Sequence, residues 1–162
     1  MVVGCNPSTA DLNRDDPTVL KLGRWVRLNG YCGLDMANMF AFRETHPDRM
    51  KAAAPFHHLV GPENDFWISR MAAEAHDVVL AMGEIAFKDW RLYTGIATGY
   101  VELPKPRREA ATARFLLVKS LIKAWLRPEG RLMAFGLTKA GNPRHVLYLP
   151  REMNNSGQWL DL

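Results

Sequence analysis

Apolar and polar residues fall along this chain in blocks whose length and period separate strands from helices. Val2 to Cys5 is a short apolar run ending at Gly4-Cys5-Asn6-Pro7-Ser8, the pattern of a buried strand entering a turn. Asp16-Pro17 supplies an N-cap followed by proline at the first helical position. Val19, Leu20, Leu22, Trp25, Val26 and Leu28 then give an amphipathic helix that Asn29-Gly30 stops. Leu34 to Phe42 predicts a strand with one interior polar residue, Asn38. Thr45-His46-Pro47-Asp48 predicts the start of a short helix, and Pro55 to Gly61 a loop carrying His57-His58. Gly61-Pro62 opens a longer helix ending near His76. Val78 to Met82 is rich in β-formers, and Gly83 turns the chain into a helix ending near Trp90. Gly95, Gly99, Pro104 and Pro106 predict a loop or insertion over 94–108. Ala110 to Leu126 reads as a helix with Phe115, Leu116, Leu121, Ile122 and Trp125 on its apolar face. Leu132 to Leu137 is a further strand, leading to Lys139-Ala140-Gly141-Asn142-Pro143-Arg144-His145, and Val146 to Leu149 is a last apolar run.

Strands alternating with helices predict an α/β fold: a three-layer α/β/α domain over residues 1–162 with a central, mainly parallel four-stranded sheet. In such sheets ligands gather at the carboxyl ends of the strands. The polar loops fall there: Asn6-Pro7-Ser8, Phe42-Arg43-Glu44, Gly83-Glu84, and Asn142 to His145.

Composition narrows the class. The 48% hydrophobic and 23% charged residues fit a globular domain with a real core rather than a disordered chain. No apolar run is long enough to span a membrane, and Met1-Val2-Val3-Gly4-Cys5-Asn6 lacks the pattern of a signal peptide, so a cytoplasmic protein is expected. Cys5 and Cys32 are too few for a disulfide framework or a four-cysteine metal site. His57 and His58 are adjacent and diverge, so neither metal nor cofactor is expected. A net charge of +4 is mild, but it is unevenly placed. Pro104 to Arg127 sets seven basic side chains against Glu109 alone, a net of +6, which leaves −2 on the remainder. Such a segment is either a solvated helix face or a phosphate-binding surface, with Lys119 and Lys123 the candidate phosphate contacts.

Several motifs fail on inspection. Gly4 to Ser8 lacks the glycine spacing and lysine of a phosphate-binding loop. Ser8 has no nucleophile elbow around it, and Cys5 is flanked by apolar residues. What survives is a set of amides at strand ends. A lone Asn38 in an apolar strand is costly unless paired: it bonds neighbouring backbone, or it offers one donor and one acceptor to a ligand such as a pyrimidine edge.

Across nearly its whole length the sequence resembles an uncharacterised domain family with Asn-Pro-Ser-Thr-Ala-Asp near the start, here Asn6 to Asp11. The same family has Asn-x-Phe-x-x-Arg, here Asn38 to Arg43; Gly-Pro-x-Asn-Asp, here Gly61 to Asp65; and Pro-Arg-His, here Pro143 to His145. More distantly, the order of motifs is similar to the uracil-DNA glycosylase superfamily. Gly4-Cys5-Asn6-Pro7 matches its Gly-x-Asn-Pro variant, Asn38 its strand asparagine, and Asn142-Pro143 part of its late loop, where Arg144 replaces the usual serine.

That resemblance implies base flipping followed by hydrolysis of a base–sugar bond, on a monomer that binds single- or double-stranded DNA. Asn6 would position the water, with Asp11 as an assisting carboxylate. Asn142 or His145 would donate to a base carbonyl. Asn38 would read the base, and Phe40 or Phe42, which share its strand parity, would stack on it unless they pack in the core. Arg144 would hold phosphate or fill the gap left by the flipped base. Ser8 stands where strict uracil enzymes carry a tyrosine, which implies room for a 5-substituted pyrimidine; alternatively it caps a turn. Two other functions fit the same residues: a non-catalytic nucleic-acid-binding module, and an enzyme acting on free nucleosides or nucleotides.

Overall fold

The structure is a computed structural model that describes residues 1–8, 16–46, 50, 56–87, 93–96, 99–102, 108–149 and 160–161. β1 (Val2–Gly4) is flanked by two parallel neighbours, β2 (Met36–Asn38) and β3 (Val78–Leu80). β6 (Leu132–Ala134) continues the sheet in parallel beside β3, and β7 (Leu160–Asp161) adds a short antiparallel edge. The order is therefore β2-β1-β3-β6-β7, with four parallel strands at its centre.

The helices are α1 (Pro17–Leu28), α2 (Phe56–Val60), α3 (Asn64–Glu74) and α4 (Arg108–Trp125). From β1 the chain moves one way to β2; from β2 to β3 and from β3 to β6 it moves the other way. With right-handed crossovers this reversal puts α1 on one face and α3 and α4 on the opposite face. The two cores follow. Val2, Val79, Ala81, Met133 and Phe135 pack with Leu22, Trp25 and Val26 of α1. Val3, Val78, Leu80 and Met82 pack with Ile68 and Ala72 of α3 and Val118 and Ile122 of α4. Alternate residues of each strand thus serve opposite layers, the period of two that a doubly covered sheet demands.

α1 begins as expected, with the Asp16 carboxylate accepting from the Thr18 amide and Pro17 at the first position. Elsewhere the structure corrects the pattern. The Leu34 to Phe42 run is a strand only at Met36–Asn38, since beyond it the amides of Ala41 and Phe42 donate to Val60 and Leu59. The expected loop before Gly61 contains α2, and the helix expected after Gly83 is the short 3-10 turn Glu84–Ala86, with residues 88–92 outside the described set. The expected loop over 94–108 contains part of an antiparallel hairpin, β4 (Tyr93–Ile96) and β5 (Gly99–Glu102), because glycine at positions 95 and 99 does not prevent pairing. Val146–Tyr148 is a 3-10 turn rather than a strand.

The face of α4 agrees with the hydropathy pattern at Ile122 and Phe115 and departs from it elsewhere. It buries Ala111, Arg114, Val118 and Ile122, while Leu116 and Trp125 are exposed. No helix among the described residues is long and apolar enough to cross a membrane.

Candidate functional site at the carboxyl edge

The strand order reverses between β1 and β3, and the loops leaving these two strands open at the same edge of the sheet. That is where α/β sheets place ligands. The Ala81 amide donates to the Val3 carbonyl (2.8 Å). Asn6 and Glu84 each follow that bond by three residues, one on either side of the reversal.

Asn6 is half-buried, and its side-chain amide is committed to backbone. Nδ2 donates to the Glu44 carbonyl at 2.6 Å and to the Pro7 carbonyl at 3.1 Å. The Glu44 amide returns a bond to Pro7, so the loops after β1 and β2 are stitched together. With both Nδ2 hydrogens used, what Asn6 can offer a ligand is its acceptor, Oδ1. Ser8 donates to Asp16 Oδ2 at 2.7 Å, which is the turn-capping alternative. Burial alone would raise the Asp16 carboxyl, but the bonds from Ser8 and Thr18 outweigh it and hold the group below the usual range. Asp11 lies outside the described residues.

Asn38 pairs in register with Gly4 and is half-buried. Its carbonyl, and that of Met39, accept from Asn64 Nδ2 at 3.0 and 3.1 Å. Arg114 adds a further bond from Nε to the Met39 carbonyl (2.9 Å) and pairs through Nη1 with Asp65 Oδ1 (2.5 Å). The Gly61 to Asp65 motif is therefore a brace for the end of β2. Gly61 supplies the positive φ of its turn, with Ala41 Cβ so close that a side chain there would collide. Phe40 is fully buried in the core, so it packs rather than stacks on a ligand. Strand alternation ends at Asn38 and no longer ties the two residues to one direction. Phe42 is partly exposed against the same core.

The late loop is laced to the one after β3. Thr138 Oγ1 and Asn142 Nδ2 both donate to Glu84 Oε2, at 2.6 and 2.9 Å. The Gly83 amide donates to the Pro143 carbonyl (3.0 Å). Gly83 has φ +76, and a Cβ there would lie 2.8 Å from His145 Cβ, so only glycine admits the histidine. His145 caps the following 3-10 turn: its Nδ1 accepts from the Leu147 amide at 3.3 Å. Burial lowers its pKa, with the Asp16 charge acting the other way and Lys21 adding to the fall. With Nδ1 accepting from Leu147, Nε2 is the ring position left to donate.

Arg144 is exposed, with Nε bound to the Leu137 carbonyl at 2.8 Å. Lys119 and Lys123 stand on α4, which begins at the carboxyl edge beside Met39 and ends near Ala73 and Glu74, where Arg127 binds. Lys123, in the last turn, therefore lies toward the opposite edge. Arg114, counted by sequence in the basic segment, is 4% exposed and belongs to the interior.

The structure thus gathers Asn6, Ser8, Asn38, Asn142 and His145 at one edge and leaves Phe40 and Lys123 apart from it. Glu84 is the residue that a search centred on the Asn-Pro motif misses; its signal is a carboxylate directly after the glycine that ends a buried strand run. Among the described residues no group of three or more His, Cys, Asp or Glu side chains could hold a metal.

Fold and edge together define an α/β/α protein with a polar site at the point where its parallel sheet reverses order. The family described as "Protein of unknown function (DUF1643)" matches residues 1–147, and the chain belongs to that family. Comparison with curated proteins and with solved structures finds no match.

Proposed function

We propose that this chain is a DNA glycosylase that hydrolyses the N-glycosidic bond of uracil or, by preference, of a 5-substituted pyrimidine. The observation that carries the reading is the placement of His145, held on the late loop by its packing on Gly83 and its bond from Leu147. Base loss leaves negative charge on the departing pyrimidine, and the group needed there is a fixed donor that costs no reorganisation. His145, with Nδ1 accepting from Leu147, has Nε2 left to donate, on the loop where the resembled superfamily contacts the base. Asn142 is the weaker candidate for that role because one of its amide hydrogens is committed to Glu84. Asn6 Oδ1 is suited to hold a water, and Asn38 stands two strands from the reversal with its side chain against Gly4. Ser8 is small where strict uracil enzymes carry a tyrosine, and that difference in the sequence supports a 5-substituted base. Of the basic segment, Lys119 is the side chain that supports a polyanionic substrate, since Arg114 is interior and Lys123 and Arg127 lie toward the other edge.

The test is incubation with single- and double-stranded oligonucleotides carrying uracil or 5-substituted pyrimidines, followed by alkali to cut abasic sites. Cleavage that is lost in His145→Ala supports the reading. Tight binding with no cleavage of any base would replace it with a binding module, and turnover confined to free nucleosides would replace the substrate.

A further inference from the structure

We propose that Glu84 is the general base of this site, an inference that rests on the glycosylase reading. Three observations place it. It follows Gly83, whose backbone packs against His145 Cβ, so the carboxylate and the imidazole leave adjoining points of two crossing loops. It lies across the strand reversal from Asn6, each three residues beyond the Val3–Ala81 bond. It is partly buried and oriented, because Thr138 and Asn142 both donate to Oε2. Two donors from a single loop fix its direction. A carboxylate also answers a chemical difficulty: the amide of Asn6 can hold a water but cannot take its proton.

The step balances as follows. A water held by Asn6 Oδ1 bonds through its oxygen to C1′ of the sugar while the bond from C1′ to the base nitrogen breaks. The bonding pair leaves with the base, whose oxygen is met by His145 Nε2–H. The water's proton passes to the Glu84 carboxylate and returns through solvent to the base nitrogen. Water is added across one bond, and nothing is oxidised or reduced.

The experiment uses the full chain and whichever oligonucleotide the parent cleaves. In Glu84→Gln, single-turnover cleavage should fall about 10²–10⁴-fold, the span general-base removal produces, while affinity for the same oligonucleotide stays within about threefold. Glu84→Ala should be equally slow, and sodium formate should restore part of its rate by replacing the missing carboxylate. If Glu84 merely ties two loops together, formate restores nothing and the loss of rate follows a loss of thermal stability in both variants. Either result, or a Glu84→Gln protein as fast as the parent, overturns the role while leaving the glycosylase reading intact. A parent that cleaves no base overturns both.

Discussion

Gly4 and Asn38 stand side by side in parallel register, and a methyl group on Gly4 would lie 2.6 Å from Asn38 Oδ1. No left-handed backbone requires glycine at this position; the requirement is space for one amide. Gly4→Ala should therefore act on the site more than on the fold. The amide can swing aside, so stability should fall by only about 1 kcal/mol, the low end of overpacking costs. Discrimination between a substrate base and its neighbours should drop by the roughly 1–3 kcal/mol that an amide–base pair supplies. Thermal denaturation and competition cleavage with mixed oligonucleotides check the two halves separately.

Asn6 has a structural duty that complicates its chemistry. Asn6→Ala loses the bond to Glu44 and should cost about 1 kcal/mol of stability. Binding of modified DNA should persist while single-turnover cleavage falls, because a water contact counts mainly in the transition state. Asn6→Asp looks on paper like the gain of a base. Here it turns a donor into an acceptor facing the Glu44 and Pro7 carbonyls. It should be less stable than Asn6→Ala and no faster than the parent, as urea unfolding and single-turnover rates will show.

At the opposite edge of the sheet a buried carboxylate ties stability to pH. Asp77 is 5% exposed and accepts from Arg131 and Tyr31. Burial alone would raise its carboxyl, but the bonds from Arg131 and Tyr31 overcome this and bring it down to about 2. Tyr31 is pushed up to about 12, first by burial and then by the bond to Asp77. A carboxyl lowered by folding stabilises the protein above its unfolded pKa, and that stability drains away as pH falls through the folded value. Asp77→Asn should cost about 2 kcal/mol at pH 7, the exposed Arg131 guanidinium trimming what the full shift implies. The gap between parent and variant should close between pH 4 and about pH 2. Urea midpoints at pH 7, 4 and 2.5 measure it.

The two lysines of α4 should differ. Lys119→Ala should flatten the salt dependence of DNA binding by about one unit, the effect of one lost phosphate contact. Lys123→Ala, nearer the far edge, should change it less. Equal effects would mean that DNA runs along the helix rather than across the loop edge.

The sequence made α1 legible because Asp16-Pro17 and Asn29-Gly30 bracket it with local chemistry that needs no partner. The central strands were legible for a similar reason, since short runs buried on both faces leave little else for Val2-Val3 or Val78-Val79-Leu80 to do. The misreadings are tertiary. Leu116 and Trp125 looked like core because hydropathy cannot know that Arg114 will turn inward to reach Met39 and Asp65. The candidate site was legible as three amides and a histidine because these sit in recognisable tripeptides. Glu84 was not, because its meaning comes from Thr138 and Asn142, more than fifty residues away.

α1, α3 and α4 all start at the carboxyl edge and run back toward the other, as Asp16, Asn64 and Arg114 mark. Their peptide dipoles are therefore aligned, with three partially positive ends at the rim where the polar loops lie. The Asp16 carboxylate caps the first of these ends and Asp65 stands in the first turn of the second, so the backbone charge of the rim is answered first by the protein's own carboxylates.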